Sequence, residues 1–166
     1  MPTPLDTLIP PPIVAALCGV GIRYAAKTVL APYSLLHIVP PEYIQYIDYA
    51  PYAAGALAAV GVGILGTANV QFRKHKTTVT PLTPAKATTL VQDGVFARTR
   101  NPMYLGMAFI LSGYGLYVQN PLAGLAGVAT FVAYITQFQI KPEESALKLI
   151  FNSVYDVYVN KVPRWI

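Results

Sequence analysis

Charge is what this sequence has least of. Only 11% of its 166 residues are Asp, Glu, Lys or Arg, against 54% hydrophobic, where a soluble domain of this size carries about 25% charged residues. So few charges cannot coat a globular surface, which excludes an ordinary soluble domain. Cysteine and histidine are equally scarce: one Cys and two His exclude a disulfide scaffold and a Cys/His zinc site. Seven acidic residues in a mostly apolar chain exclude an acidic tail and intrinsic disorder. The composition is that of an integral membrane protein.

The net charge is nonetheless +5, a balance that raises nucleic acid as a partner. The positions of the cations answer the question. Arg73, Lys74, Lys76, Lys86, Arg98 and Arg100 form one block, and Lys141, Lys148, Lys161 and Arg164 another. Both blocks flank apolar stretches. That is a topology pattern, because Lys and Arg stay on the cytoplasmic side of a bilayer. A nucleic-acid groove wants cations interleaved with aromatics on a soluble fold, so no nucleic-acid partner is expected.

A membrane crossing needs roughly 20 apolar residues. Residues 49–72 are free of charge and end at Arg73-Lys74-His75-Lys76, which predicts one span. Residues 101–140 contain no charged residue and are long enough for two, with a turn expected at Asn120-Pro121. This reads as a helical hairpin over 102–119 and 121–140. The first span is expected over 13–36, entered through Pro10-Pro11-Pro12, since proline is tolerated at a helix start. It carries Arg23 and Lys27 on one face, read as snorkelling to the interface. After the hairpin, Lys141-Pro142-Glu143-Glu144 has the composition of a helix start. Leu147, Ile150, Phe151, Val154 and Tyr158 follow at helical spacing, which predicts an amphipathic helix over 142–159.

The expected fold is therefore an all-α integral membrane domain with about four transmembrane helices, a linker over 73–101 and a C-terminal amphipathic helix. Positive-inside orientation puts both termini and both basic blocks in the cytoplasm or its equivalent, with the 37–48 loop opposite. The sequence lacks a signal-peptide pattern ahead of the first apolar run.

Gly61-Val62-Gly63-Ile64-Leu65-Gly66 matches the dinucleotide-binding pattern in letters only. It sits inside an apolar span, with no preceding strand and no acid about 20 residues on. Gly55, Ala59 and Gly63 instead suggest a small-residue face for close helix packing. Residues 77–106 carry more information: they are polar, rich in Pro and Thr, turn at Asp93-Gly94, and lead through Arg98 and Arg100 into the hairpin. Taken alone, the two arginines and Tyr104 read as membrane-interface anchors. A hairpin, however, returns its ends to one membrane face. Arg100-Asn101 and Tyr104 should then meet Glu143-Glu144, and convergent polar groups in an apolar wall make a ligand pocket.

The order of these residues is familiar. Asp93-Gly94-Val95-Phe96, Arg98, Arg100-Asn101-Pro102-Met103-Tyr104-Leu105-Gly106 and Pro142-Glu143-Glu144 resemble the isoprenylcysteine carboxyl methyltransferase family, including its phospholipid-methyltransferase-like bacterial relatives. Phe72-Arg73 with Thr77-Thr78-Val79-Thr80-Pro81, and the ending Tyr155-Asp156-Val157-Tyr158 with Val162-Pro163-Arg164-Trp165, are similar too. The resemblance covers Gln71 to the C-terminus.

It implies a membrane methyltransferase using S-adenosyl-L-methionine, held without a Rossmann domain between the hairpin ends and capped by the C-terminal segment. By position, Asn101, Pro102, Tyr104, Gly106, Glu143 and Glu144 would line the cofactor site. Arg98, Arg100 and Arg164 would serve the catalytic side, holding a carboxylate or orienting an anionic acceptor. Many members have His where this chain has Asn101, which cannot act as a cation or base. The acceptor would be lipid or lipid-like. The alternatives are a non-catalytic methyltransferase-fold subunit of a larger membrane complex and a small lipid- or metabolite-binding carrier.

Overall fold

The computed structural model describes residues 8–75 and 89–166, and every regular element among them is helical. In chain order these are α1 (Pro11–Lys27), a 3-10 turn (Ala31–Tyr33), α2 (Leu35–Ile38), a 3-10 helix (Pro41–Tyr49), α3 (Ala50–Lys74), a 3-10 turn (Gly94–Ala97), α4 (Pro102–Tyr117), α5 (Pro121–Ile135), a π-helical turn (Thr136–Ile140) and α6 (Lys141–Lys161). The chain forms two compact units: Pro12–Val62 with Met107–Ala133, and Met1–Pro11 with Gly63–Gly106 and Tyr134–Ile166. Part of the expected 73–101 linker, including Thr77-Thr78-Val79-Thr80-Pro81, lies outside the described residues.

Two continuous helical stretches, Pro41–Lys74 and Pro121–Lys161, are long and apolar enough to cross a membrane. The other two expected spans are shorter: α1 has 17 residues and α4 has 16. The first departs from the expected 13–36, because helix ends at Lys27. Thr28 donates its hydroxyl to the Tyr24 carbonyl (2.8 Å), and Pro32, lacking an N–H, prevents the helix from continuing. Lys27 thus sits in the last turn, where the helix dipole favours a cation. Arg23 and Lys27 are both exposed, so neither charge is buried in the fold.

In the first unit the hairpin turns where the sequence indicates. Gln119 takes a positive φ of 55°, and the fully buried Asn120 does two jobs. Its side-chain oxygen accepts from the Ala123 N–H (3.0 Å), capping α5, and its amide donates to the Leu30 carbonyl (2.7 Å). α4 and α5 then touch backbone to backbone: a Cβ on Gly115 would lie 2.6 Å from the Cα of Gly124. α4 also packs on α3, where a Cβ on Gly113 would meet the Ala54 carbonyl at 2.7 Å.

The small-residue face of α3 is not the expected one. Gly55, Ala59 and Gly63 are exposed, with open space beside both glycines. Ala54 and Gly61 are buried instead. The close approach came from α4's glycines, which selects which side of α3 is covered.

Gly115→Ala should destabilise the full-length chain in detergent by about 1–3 kcal/mol, since backbone rather than a mobile side chain must yield. Gly63→Ala, made into open space, should stay within about 0.5 kcal/mol of the parent. Thermal unfolding of the two variants side by side checks the contrast.

Candidate functional site

The charged residues near the hairpin ends, Arg98, Arg100, Glu143, Glu144 and Arg164, all lie in the second unit. The hairpin's second helix does not stop where a new one was expected at 142. It continues through a π-helical turn, in which the Lys141 N–H bonds the Thr136 carbonyl five residues back. Pro142 explains the wide turn, since its missing N–H and its ring are incompatible with an ordinary α-helical interior. π turns of this kind occur at functional sites. The extra residue carries burial from Ile135 to Ile140, both with no exposure.

α6 is itself broken at Asn152 (φ 45°, ψ −124°), a positive-φ conformation outside the left-handed helical well. The apolar face expected over Leu147, Ile150, Phe151, Val154 and Tyr158 is therefore re-sorted. Tyr155, Tyr158 and Val162 are buried, with Leu147, Phe151, Val159 and Leu90 packed on them. Ile150 and Val154 face outward.

The approach to α4 is fixed from the other side. Gly94 adopts a φ of 59°, and a Cβ there would run into the Gln71 side chain. Asp93 just before it accepts from His75 (2.8 Å) and pairs with Lys74 (3.5 Å). Phe96 is then buried on Phe72, ring centroids 5.0 Å apart, beside Ala68, Val91 and Met103. Tyr158 donates its hydroxyl to the Phe96 carbonyl (2.8 Å).

The C-terminal tail straps this segment. The Arg100 N–H donates to the Pro163 carbonyl (3.0 Å). The Arg164 carbonyl accepts from the Asn101 amide (2.9 Å) and the Thr99 hydroxyl (3.3 Å). Trp165 donates its indole N–H to the Thr136 hydroxyl (3.2 Å) at the π turn.

The strap brings charges together. Glu144 accepts from Arg164 through both oxygens, Nε to Oε1 at 3.0 Å and Nη2 to Oε2 at 2.7 Å. Arg100 adds Nη1 to Oε1 at 3.0 Å. The Arg100 and Glu144 side chains are only 11% and 18% exposed, so these pairs are far less screened than surface ones. Glu144's hydrogen bonds push the Arg164 guanidinium up, holding it charged.

Next to this triad, Tyr104 donates its hydroxyl to Glu143 Oε1 at 2.5 Å. Glu143 lies past Ile140, where the apolar run ends. Burial pushes its carboxyl up to about 8, the neighbouring Glu144 charge adds to that, and the Tyr104 hydrogen bond acts the other way. Four buried polar atoms have no hydrogen-bond partner among the described residues: Gln71 Oε1, Arg100 Nε, the Tyr134 hydroxyl and Gln139 Oε1. Such groups are rare in native interiors, because each forfeits its hydration.

Of the residues singled out in the sequence, Arg100, Tyr104, Glu143, Glu144 and Arg164 converge. Pro102 and Gly106 are buried on α4, Pro102 opening the helix. Asn101 turns to the tail rather than to the carboxylates. Arg98 ends the 3-10 turn with its side chain exposed, and among the described residues it makes no ion pair. The sequence alone does not point to Thr99, Tyr134 or Gln139, and it points to Trp165 only through the resemblance of the tail. Gln139 left one signal, a polar residue inside a charge-free run; it is fully buried, its amide donating to the Ile9 carbonyl (2.7 Å).

Glu144→Gln should cost about 1–3 kcal/mol in thermal unfolding, because it leaves a largely buried Arg100 without its counter-charge. The pH behaviour of Glu143 has a definite sign. Its folded pKa is raised, so the folded chain holds the proton more tightly than the unfolded chain. The stability it contributes is complete below the ordinary carboxylate range and is lost as pH rises towards about 8. Unfolding midpoints measured from pH 5 to 9 should fall in that window, and Glu143→Gln should flatten the slope.

The phospholipid methyltransferase family matches residues 50–154, from the start of α3 into α6. That range takes in Arg98, Arg100, Tyr104, Glu143 and Glu144, and leaves out Arg164. An uncharacterized protein of Haemophilus influenzae is 44% identical over 64 residues, which is 39% of this chain and all of that protein. No solved structure matches the chain. With more than half of its length inside the family match, and with helices long and apolar enough to cross a membrane, the chain belongs to the phospholipid methyltransferase family, a family of methyltransferases.

Proposed function

We propose that this protein is an integral membrane methyltransferase that uses S-adenosyl-L-methionine to methylate a lipophilic or membrane-associated acceptor, in the manner of the isoprenylcysteine carboxyl methyltransferases. In this reading α1 and α4 complete a four-span domain with its basic blocks on the cytoplasmic side. The observation that carries the proposal is the buried, unpartnered Arg100 Nε beside the Arg100–Glu144–Arg164 triad and the Tyr104–Glu143 pair.

The donor set fits the cofactor. S-adenosylmethionine carries a carboxylate, an ammonium and ribose hydroxyls, so its site needs both signs of charge. Arg100 Nε–H is a free donor suited to a carboxylate, and charge-assisted bonds of that kind are the strong ones. Glu143 suits the amine or hydroxyls, and its raised pKa provides a carboxyl that a cationic ligand would help to ionise. Tyr104 holds that carboxyl in place. Glu144, neutralised by two guanidiniums, keeps the site from being purely positive. Pro102 and Gly106 keep the first turns of α4 slim, which suits close approach by a ligand.

When bound, S-adenosylmethionine supplies an electrophilic methyl group on a sulfonium. Methyl transfer is an in-line displacement, so the protein's task is positioning and exclusion of water. Arg100 and Glu143 would orient the donor. Arg164, tied by its carbonyl to Thr99 and Asn101, and the exposed Arg98 would meet an anionic acceptor at the membrane face. Asn101 in place of His fits this division of labour, since its amide holds the tail and needs no charge.

Isothermal calorimetry of the full-length chain with S-adenosylhomocysteine should show binding, weakened about tenfold or more by Arg100→Ala. Glu143→Gln should weaken it to a smaller extent. No binding by folded wild-type protein, or unchanged binding by Arg100→Ala, would overturn the assignment.

A further inference from the structure

Away from the charged cluster, residues 42–50 repeat as polar, tyrosine, apolar: Glu42-Tyr43-Ile44, Gln45-Tyr46-Ile47, Asp48-Tyr49-Ala50. The backbone there is a 3-10 helix, Pro41–Tyr49, unusually long for its type. Its period is three residues, so side chains three apart eclipse one another. Sequence and backbone periods therefore coincide and sort the segment into three faces. Ile47 is buried, while Ile44 one turn before it on the apolar face is 39% exposed. Glu42, Gln45 and Asp48 form an exposed polar face.

Tyr43, Tyr46 and Tyr49 form a ladder that Tyr52 extends into α3, and their exposures are 54%, 58%, 64% and 76%. Ring centroids are 6.3 Å apart for Tyr43–Tyr46 and 6.4 Å for Tyr49–Tyr52. Four exposed aromatic rings, in contact as the pairs Tyr43–Tyr46 and Tyr49–Tyr52, leave apolar surface uncovered, which marks an interaction surface.

We propose that this ladder docks the quaternary-ammonium headgroups of a zwitterionic phospholipid surface. Charge selects the occupant. No Lys or Arg occurs between Lys27 and Arg73, and the acids in that interval are Glu42 and Asp48. Tyrosine faces attract cations through the ring quadrupole, and aromatic surfaces are the usual recognisers of quaternary ammonium groups. An anionic headgroup finds no Lys or Arg in this interval to pair with. Position agrees, because the four tyrosines lie at the start of the continuous Pro41–Lys74 stretch that is long and apolar enough to cross a membrane. Rings at the end of such a helix lie at headgroup depth.

The test reconstitutes the full-length chain into nanodiscs containing equal amounts of phosphatidylcholine and phosphatidylglycerol, then weighs the lipids that stay bound after mild extraction. Wild type should retain phosphatidylcholine above its bulk share by about two- to fivefold, the range of an exposed cation–π contact. Tyr43→Leu/Tyr46→Leu/Tyr49→Leu should return the ratio to bulk, and the corresponding Phe variant should preserve it. Unfolding midpoints identify any variant that has lost its fold, leaving the Phe variant and wild type as the comparison. A bulk ratio in wild type, preference for phosphatidylglycerol, or the same enrichment in the Leu variant would overturn the proposal. So would cross-linking between copies through the ladder, which makes it a protein interface. S-adenosylhomocysteine binding is indifferent to all of these outcomes.

Discussion

One carboxylate shared by two guanidinium groups organises the charged cluster of this protein. Glu144 draws Arg100 from the start of α4 and Arg164 from the C-terminal tail onto the same pair of oxygens. Three charges that would each be costly in an apolar setting become tolerable only in each other's company. Once they are joined, Thr99 and Asn101 reach the Arg164 carbonyl, and the indole of Trp165 reaches the π turn. The tail is thereby made part of the site.

The π turn supplies the complementary constraint. An uninterrupted α-helix from Pro121 would rotate Glu143 and Glu144 by about 100° relative to the buried face. The extra residue at 136–140 and the Pro142 that requires it restore the register. Glu143 then meets Tyr104 and Glu144 meets the arginines. A substitution at Pro142 is therefore a change of side-chain direction as much as of local stability.

Burial then decides the chemistry. Glu143 is kept near neutrality by desolvation, and Arg100 Nε is left a buried donor without an acceptor. A group in that condition pays for its hydration loss only when a ligand arrives. That is the physical ground on which the proposed cofactor site rests, in a chain that belongs to a methyltransferase family.

The sequence alone determined the membrane class, the position of the hairpin turn and the partners expected at its ends. These follow from composition and from the return of a hairpin to its starting face, both of which are local or topological facts. It did not determine where α1 stops, which side of α3 is packed, or that Asn101 and Thr99 hold the tail. Helix continuity through Pro142 and the break at Asn152 were equally out of reach. Each of those depends on contacts distant in the chain, such as the α4 glycines on Ala54 or the tail on residues 99–101, and local periodicity carries no record of them. The triplet pattern at 42–50 was written in the sequence throughout, but it acquires meaning only on a backbone with three residues per turn, and only tertiary structure decided that.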